Sequence, residues 1–143
     1  RFTNERVHVG SLQHKTGPGH SDFSDPEPLY IDPSDGVRWQ KPVVVLTNRH
    51  SYSATNDFVN SMRCFPQVTL VGDRTGGGGG MPFSSELPNG WGVRFSASPT
   101  LDADGRHIED GIDPDIHVDM TEEDEAQGLD TIIEAARKAL KTD

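Results

Sequence analysis

The stretch that decides the fold is "VVVLTNRHSYSATNDF", residues 43–58. It opens with a β-branched and aliphatic run, Val43 to Thr47, of the kind carried by strands covered on both faces. It closes with a helical pattern in which Ala54 and Phe58, and then Met62, recur every fourth residue and share one face. Between them lies a short polar turn holding Ser51 and Ser53. "VTLVGD", residues 68–73, is a second buried strand. Strand, helix and strand over so short a span form a βαβ unit. The class expected is therefore α/β, with Val43–Thr47 and Val68–Val71 as central strands.

Outward from this unit the chain is rich in turns. "VHVGSLQH", residues 7–14, alternates as a strand does. Residues 15–28 are turn chemistry around Gly17-Pro18-Gly19, and "LYI", residues 29–31, is a short edge strand. Downstream of the glycine run Gly76–Gly80, "ELPNGWGVRFS" predicts a hairpin with a type I′ turn at Asn89-Gly90, followed by alternating Trp91, Val93 and Phe95. A further turn is expected at Asp104-Gly105. The chain closes with a helix whose apolar stripe is Ile132, Ile133, Ala136 and Leu140. Asp130 caps its start, and Lys138 and Lys141 suit its negative end. Thr121 with Asp124 caps a shorter turn before it.

The bulk numbers bound the function. A length of 143 residues suits one domain. The net charge of −10 arises entirely after residue 100, where 14 acidic residues face 4 basic ones. No basic stripe exists to neutralise phosphates, so nucleic acid is not an expected partner. The single cysteine, Cys64, forbids an intrachain disulfide and reads as a small core residue. No apolar run reaches the ~18 residues of a membrane span. The chain begins "RFTNER", without methionine, and reads as a fragment or processed form.

The serine turn has two readings. Ser51 or Ser53 can cap the helix that follows, satisfying amides that lack a partner. The same geometry exposes a hydroxyl beside amides aimed where an oxyanion would form. A nucleophilic serine also needs a base. None of the six histidines, at 8, 14, 20, 50, 107 and 117, stands in a setting that marks it as one. The glycine run lacks the Gly-Lys-Ser/Thr of a phosphate loop; it reads as a place of close backbone approach to a peptide or as a mobile lid. "DADG", residues 102–105, fails the spacing of a calcium loop, and the histidines are too irregular for a metal site. No metal ion or organic cofactor is expected.

"PVVVLTNRHSYSATNDFVNSM", "VTLVGDRTGGGGG", "ELPNGWGVRFS" and "IEDGIDPDI", in that order, resemble the C-terminal half of the catalytic domain of tail-specific, or carboxyl-terminal processing, serine peptidases. The likeness spans about residues 40–140 and is to the histidine-using, tricorn-core-like branch. It implies a crotonase-like fold of ββα units, with residues 1–143 as the C-terminal part of one such domain. It implies Ser53 as nucleophile, the Ala54 N–H as one oxyanion donor, and Glu109 as the residue orienting a histidine. That histidine, and the glycine that completes the oxyanion hole, are expected upstream in a missing N-terminal part of the domain. Gly76, Gly77 and Gly78 are the expected substrate-binding segment. The lysine-using branch is excluded, because no lysine lies between Lys41 and Lys138. The partner implied is a peptide or protein substrate, in an extracytoplasmic setting. A non-catalytic fragment that binds peptides by strand addition is the alternative.

Overall fold

The computed structural model describes residues 1–141; Thr142 and Asp143, the end of the 1–143 span, lie outside the described residues. Two strands, β1 (Val7–Leu12) and β2 (Glu27–Ile31), precede the βαβ unit of β3 (Val43–Thr47), α1 (Ala54–Met62) and β4 (Val68–Gly72). A hairpin of β5 (Phe83–Glu86) and β6 (Gly92–Phe95) follows, then short strands β7 (Thr100–Leu101) and β8 (Ile116–His117), then helices α2 (Glu122–Ala126) and α3 (Thr131–Ala139). Among the described residues no helix is long and apolar enough to cross a membrane.

β3 and β4 pair in parallel, with Val43 opposite Val68 and Thr47 opposite Gly72. Parallel neighbours need a crossover, which α1 supplies. β8 adds in parallel on the far side of β4, giving the order β3-β4-β8. A second, antiparallel sheet has the order β2-β1-β7, with β2 at its edge as expected. The core lies around α1 and β4, where Val59, Met62, Phe65, Leu70, Ile108 and Ile112 form one buried cluster. The caps of α2 and α3 are as anticipated: the Thr121 hydroxyl accepts from the Asp124 N–H, and the Asp130 carboxylate from the Ile133 N–H.

Four expectations need correction. β4 is central, but β3 is an edge strand among the described residues and is only half-buried, with Leu46 45% exposed. Its aliphatic run outstrips the cover it receives here. The face of α1 that packs inward is Asn56, Val59 and Asn60 together with Met62; Ala54 is exposed and Phe58 is 51% exposed. Two buried asparagines on the inward face misled a pattern that counts only apolar residues. The β5–β6 turn is not type I′, which requires positive φ at both central residues. Gly90 has φ +84 but Asn89 is not in that region, and the Gly90 N–H bonds the Leu87 carbonyl at 2.8 Å. This makes a three-residue loop over Pro88, Asn89 and Gly90. Cys64 is half-buried rather than core, its thiol bonded to the Asn60 carbonyl at 3.4 Å.

Candidate active site

The turn after β3 separates the two serines. Ser51 is buried, and its hydroxyl accepts from the Asn48 N–H at 3.2 Å. Its role is to tighten the turn. Ser53 occupies the N-cap position of α1 but makes no side-chain capping bond. Its backbone lies at φ 57, ψ −123, and only Met81 among the other described non-glycine residues has positive φ. Such a conformation costs about 1–3 kcal/mol and persists only where surrounding bonds enforce it. Here they do. The Ser53 N–H donates to the Gly77 carbonyl at 2.8 Å, and the Gly76 N–H to the Ser51 carbonyl at 3.1 Å. The amide of Ala54 follows as the first of the helix, where no carbonyl one turn back is available to it.

The glycine segment is laid between the serine turn and the loop that carries Glu109. The Gly78 N–H donates to the Glu109 carbonyl at 3.1 Å. A Cβ on Gly77 would lie 1.8 Å from that same carbonyl oxygen, and one on Gly78 would lie 2.1 Å from the Tyr52 ring. Close backbone approach is thus realised within the chain itself. Of the three glycines, Gly78 also borders a cleft of about 280 Å³ shared with Tyr52, Ser53, Arg94, Phe95 and Ser96.

Glu109 is exposed and borders a neighbouring cavity of about 210 Å³ together with His107. Desolvation raises its carboxyl above the ordinary carboxylate range, the charges of Asp110 and Asp57 add to this, and His107 opposes it. Of the six histidines, only His107 borders either of these two cavities; His50 is exposed, its amide bonded to the Asn48 side chain.

Two residues that the motif reading passed over, Asn56 and Thr75, hold this arrangement. Asn56 is fully buried and donates to the Ile108 carbonyl at 2.9 Å. The Thr75 hydroxyl donates to the Asn56 carbonyl oxygen at 2.6 Å and accepts from the Ile112 N–H at 2.7 Å. The helix that begins at Ser53 is thereby tied on both sides of Glu109. Asp57, one turn after Ser53, buries its Oδ1 with no hydrogen-bond partner among the described residues. Burial raises its carboxyl. A sequence signal existed for the asparagine: a polar residue three positions past the serine, in phase with Val59 and Asn60. Elsewhere, Asp73, His117 and Asp119 bring ligand atoms within 4.8 Å of one another. Asp73 is paired with Arg49 and His117 with Asp119.

The model of peptidase family S41 matches residues 3–118, so the match begins well upstream of the motifs. The chain belongs to this family. A crystal structure of a candidate peptidase from Parabacteroides merdae is 64% identical, with a TM-score of 0.94 over 97% of this chain and 44% of that one. Mature CPAF complexed with lactacystin has the same fold at 18% identity, with a TM-score of 0.80 over 98% of this chain and 39% of that one. So does the photosystem II D1 C-terminal processing protease, at 21% identity and TM-score 0.59, over 97% of this chain and 33% of that one. A Chlamydia trachomatis protein is 31% identical over 114 residues, 74% of this chain. The chain spans 19% of that relative's length, and less than half of each of these solved structures. S41 membership agrees with the tail-specific resemblance, and the fold is the mixed α/β fold of these structures.

Proposed function

We propose that this chain carries the nucleophile half of a serine endopeptidase active site. The observation that carries the reading is Ser53: held at positive φ on a strand-to-helix turn, its hydroxyl uncapped, at the edge of a cleft. A serine that served only as a cap would bond the helix amides. Ser51, by contrast, is occupied by the turn it closes.

In this reading the Ser53 Oγ attacks the scissile carbonyl. Its proton passes to a histidine from outside this chain, and then to the leaving amine. The Ala54 N–H meets the developing oxyanion, and a second donor comes from the same outside segment. Water then hydrolyses the acyl-enzyme. Glu109 orients the histidine, and an imidazolium beside it would offset the negative charges of Asp110 and Asp57. Gly78 touches the substrate, while Gly76 and Gly77 hold the serine turn by their backbone bonds. The fold proposed for the complete domain is crotonase-like, its substrates proteins or peptides, and its setting extracytoplasmic; these rest on the family likeness.

A fluorophosphonate probe on the full-length protein tests the reading. The expected result is labelling that is lost in Ser53→Ala and kept in Ser51→Ala. Labelling that survives Ser53→Ala would sink Ser53 as nucleophile. No labelling, with peptide binding retained, would favour the binding module.

A further inference from the structure

The cleft beside Ser53 carries one charged side chain, and it is a cation. Arg94 stands on β6 opposite Ser84 of β5, and the remaining residues of the cleft are uncharged. The chain as a whole has a net charge of −10. Of its eight other arginines, Arg6, Arg49, Arg63, Arg74, Arg106 and Arg137 each have a carboxylate within 4.0 Å, whereas Arg1 and Arg38, which border neither the Ser53 cleft nor the Glu109 cavity, have none among the described residues. Arg94 has none among the described residues. A guanidinium without a carboxylate, in so acidic a chain and beside the proposed nucleophile, is placed for a carboxylate that arrives with a ligand. Its planar fork matches two carboxylate oxygens at once. The Tyr52 and Phe95 rings border the same cleft and make the surroundings less polar than open water, which strengthens such a pair.

We infer that Arg94 binds a carboxylate of the peptide substrate close to the scissile bond, and so makes the site selective for an acidic group there. The inference rests on the serine-peptidase reading above and names the substrate class of that site. The carboxylate has two possible sources. One is an Asp or Glu side chain within the substrate; the other is the α-carboxylate of a substrate's C-terminus near the cleavage point.

The test uses the full-length protein and matched peptide pairs. One set compares Asp and Glu with Asn and Gln at each position around the cleaved bond. The other compares free C-terminal acids with C-terminal amides. In the wild type, kcat/KM for the acidic member should exceed that for its neutral partner by about 10- to 100-fold, the range of a charge-assisted pair. In Arg94→Gln the ratio should collapse toward one, and in Arg94→Glu it should invert. Arg94→Lys should retain part of it, because the charge stays and the fork is lost. The set that shows the preference identifies the source.

Arg94 lies exposed on a hairpin, so Arg94→Gln should leave the melting temperature unchanged. Labelling and cleavage that persist with an unaltered acid-to-neutral ratio would overturn the role of Arg94 and leave the peptidase reading standing. Absence of labelling and cleavage in the wild type would overturn the peptidase reading. The role of Arg94 is then decided by the affinity of the same peptide pairs for Ser53→Ala, with and without Arg94→Gln. Equal affinities for acid and neutral peptides in that comparison overturn it.

Discussion

The two ends of α1 are built on opposite terms. At its C-terminal end the amide and charged side chains of Asn60, Arg63 and Asp102 are all paired. Arg63 reaches Asp102 at 2.8 Å and Asn60 at 3.0 Å. Asp102 also accepts from the Asp104 and Arg106 amides, at 2.9 and 2.8 Å, and Asn60 donates to the Val9 carbonyl at 3.0 Å. At the N-terminal end Ser53 is strained and uncapped, Asp57 buries an oxygen without a partner among the described residues, and Ala54 and Phe58 are exposed. One helix thus pairs its polar side chains at one end and, at the other, leaves Ser53 and Asp57 unpaired beside the anchored Asn56. The unpaired end is the one that carries the proposed nucleophile. Local rules are commonly broken at functional sites and compensated elsewhere.

The sharpest way to break this contrast is Ser53→Gly. It removes the hydroxyl and the strain together, and no side-chain cap is lost. Probe labelling and peptide hydrolysis by the full-length protein should fall by at least ~10³-fold. Stability in urea should rise by about 1 kcal/mol, since glycine adopts positive φ freely. A variant that is both inactive and less stable would show that the serine, not the backbone, was the stabilising element. Next in size is Asn56→Ala, which strands the Ile108 carbonyl and the Thr75 hydroxyl in a buried place. The cost expected is about 3 kcal/mol in urea denaturation. A loss under ~1 kcal/mol would mean that the link from the serine helix to the Glu109 loop is not structural.

At the satisfied end, Asp102→Asn should cost about 2 kcal/mol near neutral pH. Burial pushes the Asp102 carboxyl up, but the Arg106 and Asp104 amides and the Arg63 guanidinium outweigh it and hold the group below its ordinary value of 3.8. A depressed carboxyl contributes stability above its unfolded value and loses it as pH falls through the folded one. The gap between wild type and Asp102→Asn should therefore close in acid below about pH 3.8, as thermal denaturation across pH would record.

How much of this was legible in the sequence follows the same division. The βαβ unit was readable because Val43–Thr47 and Val68–Val71 are dense apolar runs, and the caps at Thr121 and Asp130 because capping is local chemistry. The site residues were named through the ordered motifs, since a serine two positions before another serine says nothing by itself. What distinguishes them is long-range: Ser51 is occupied by Asn48, whereas Ser53 is turned by Gly77. Asn56 and Thr75 escaped because a buried polar pair follows no apolar period. The inward face of α1 was misassigned for the same reason. Arg94 was invisible as a cleft residue because its place depends on how the hairpin folds back over the serine turn.

The smallest effect expected is also the one that tests the asymmetry most directly. Asp57 and Asp102 are two carboxylates against one helix with opposite shifts. Burial raises Asp57 above its ordinary value of 3.8. A raised carboxyl contributes its stability fully below the unfolded value and loses it as pH rises through the folded one. Asp57→Asn removes the charge at every pH. Its melting temperature in this chain should match the wild type below about pH 3.8 and exceed it modestly toward neutral pH, the reverse of Asp102→Asn. The Asp57 side chain is half-buried, so solvent screening keeps the gain small. A variant less stable than wild type at neutral pH would mean that the Asp57 carboxylate is already compensated. The contrast between the two ends would then rest on Ser53 alone.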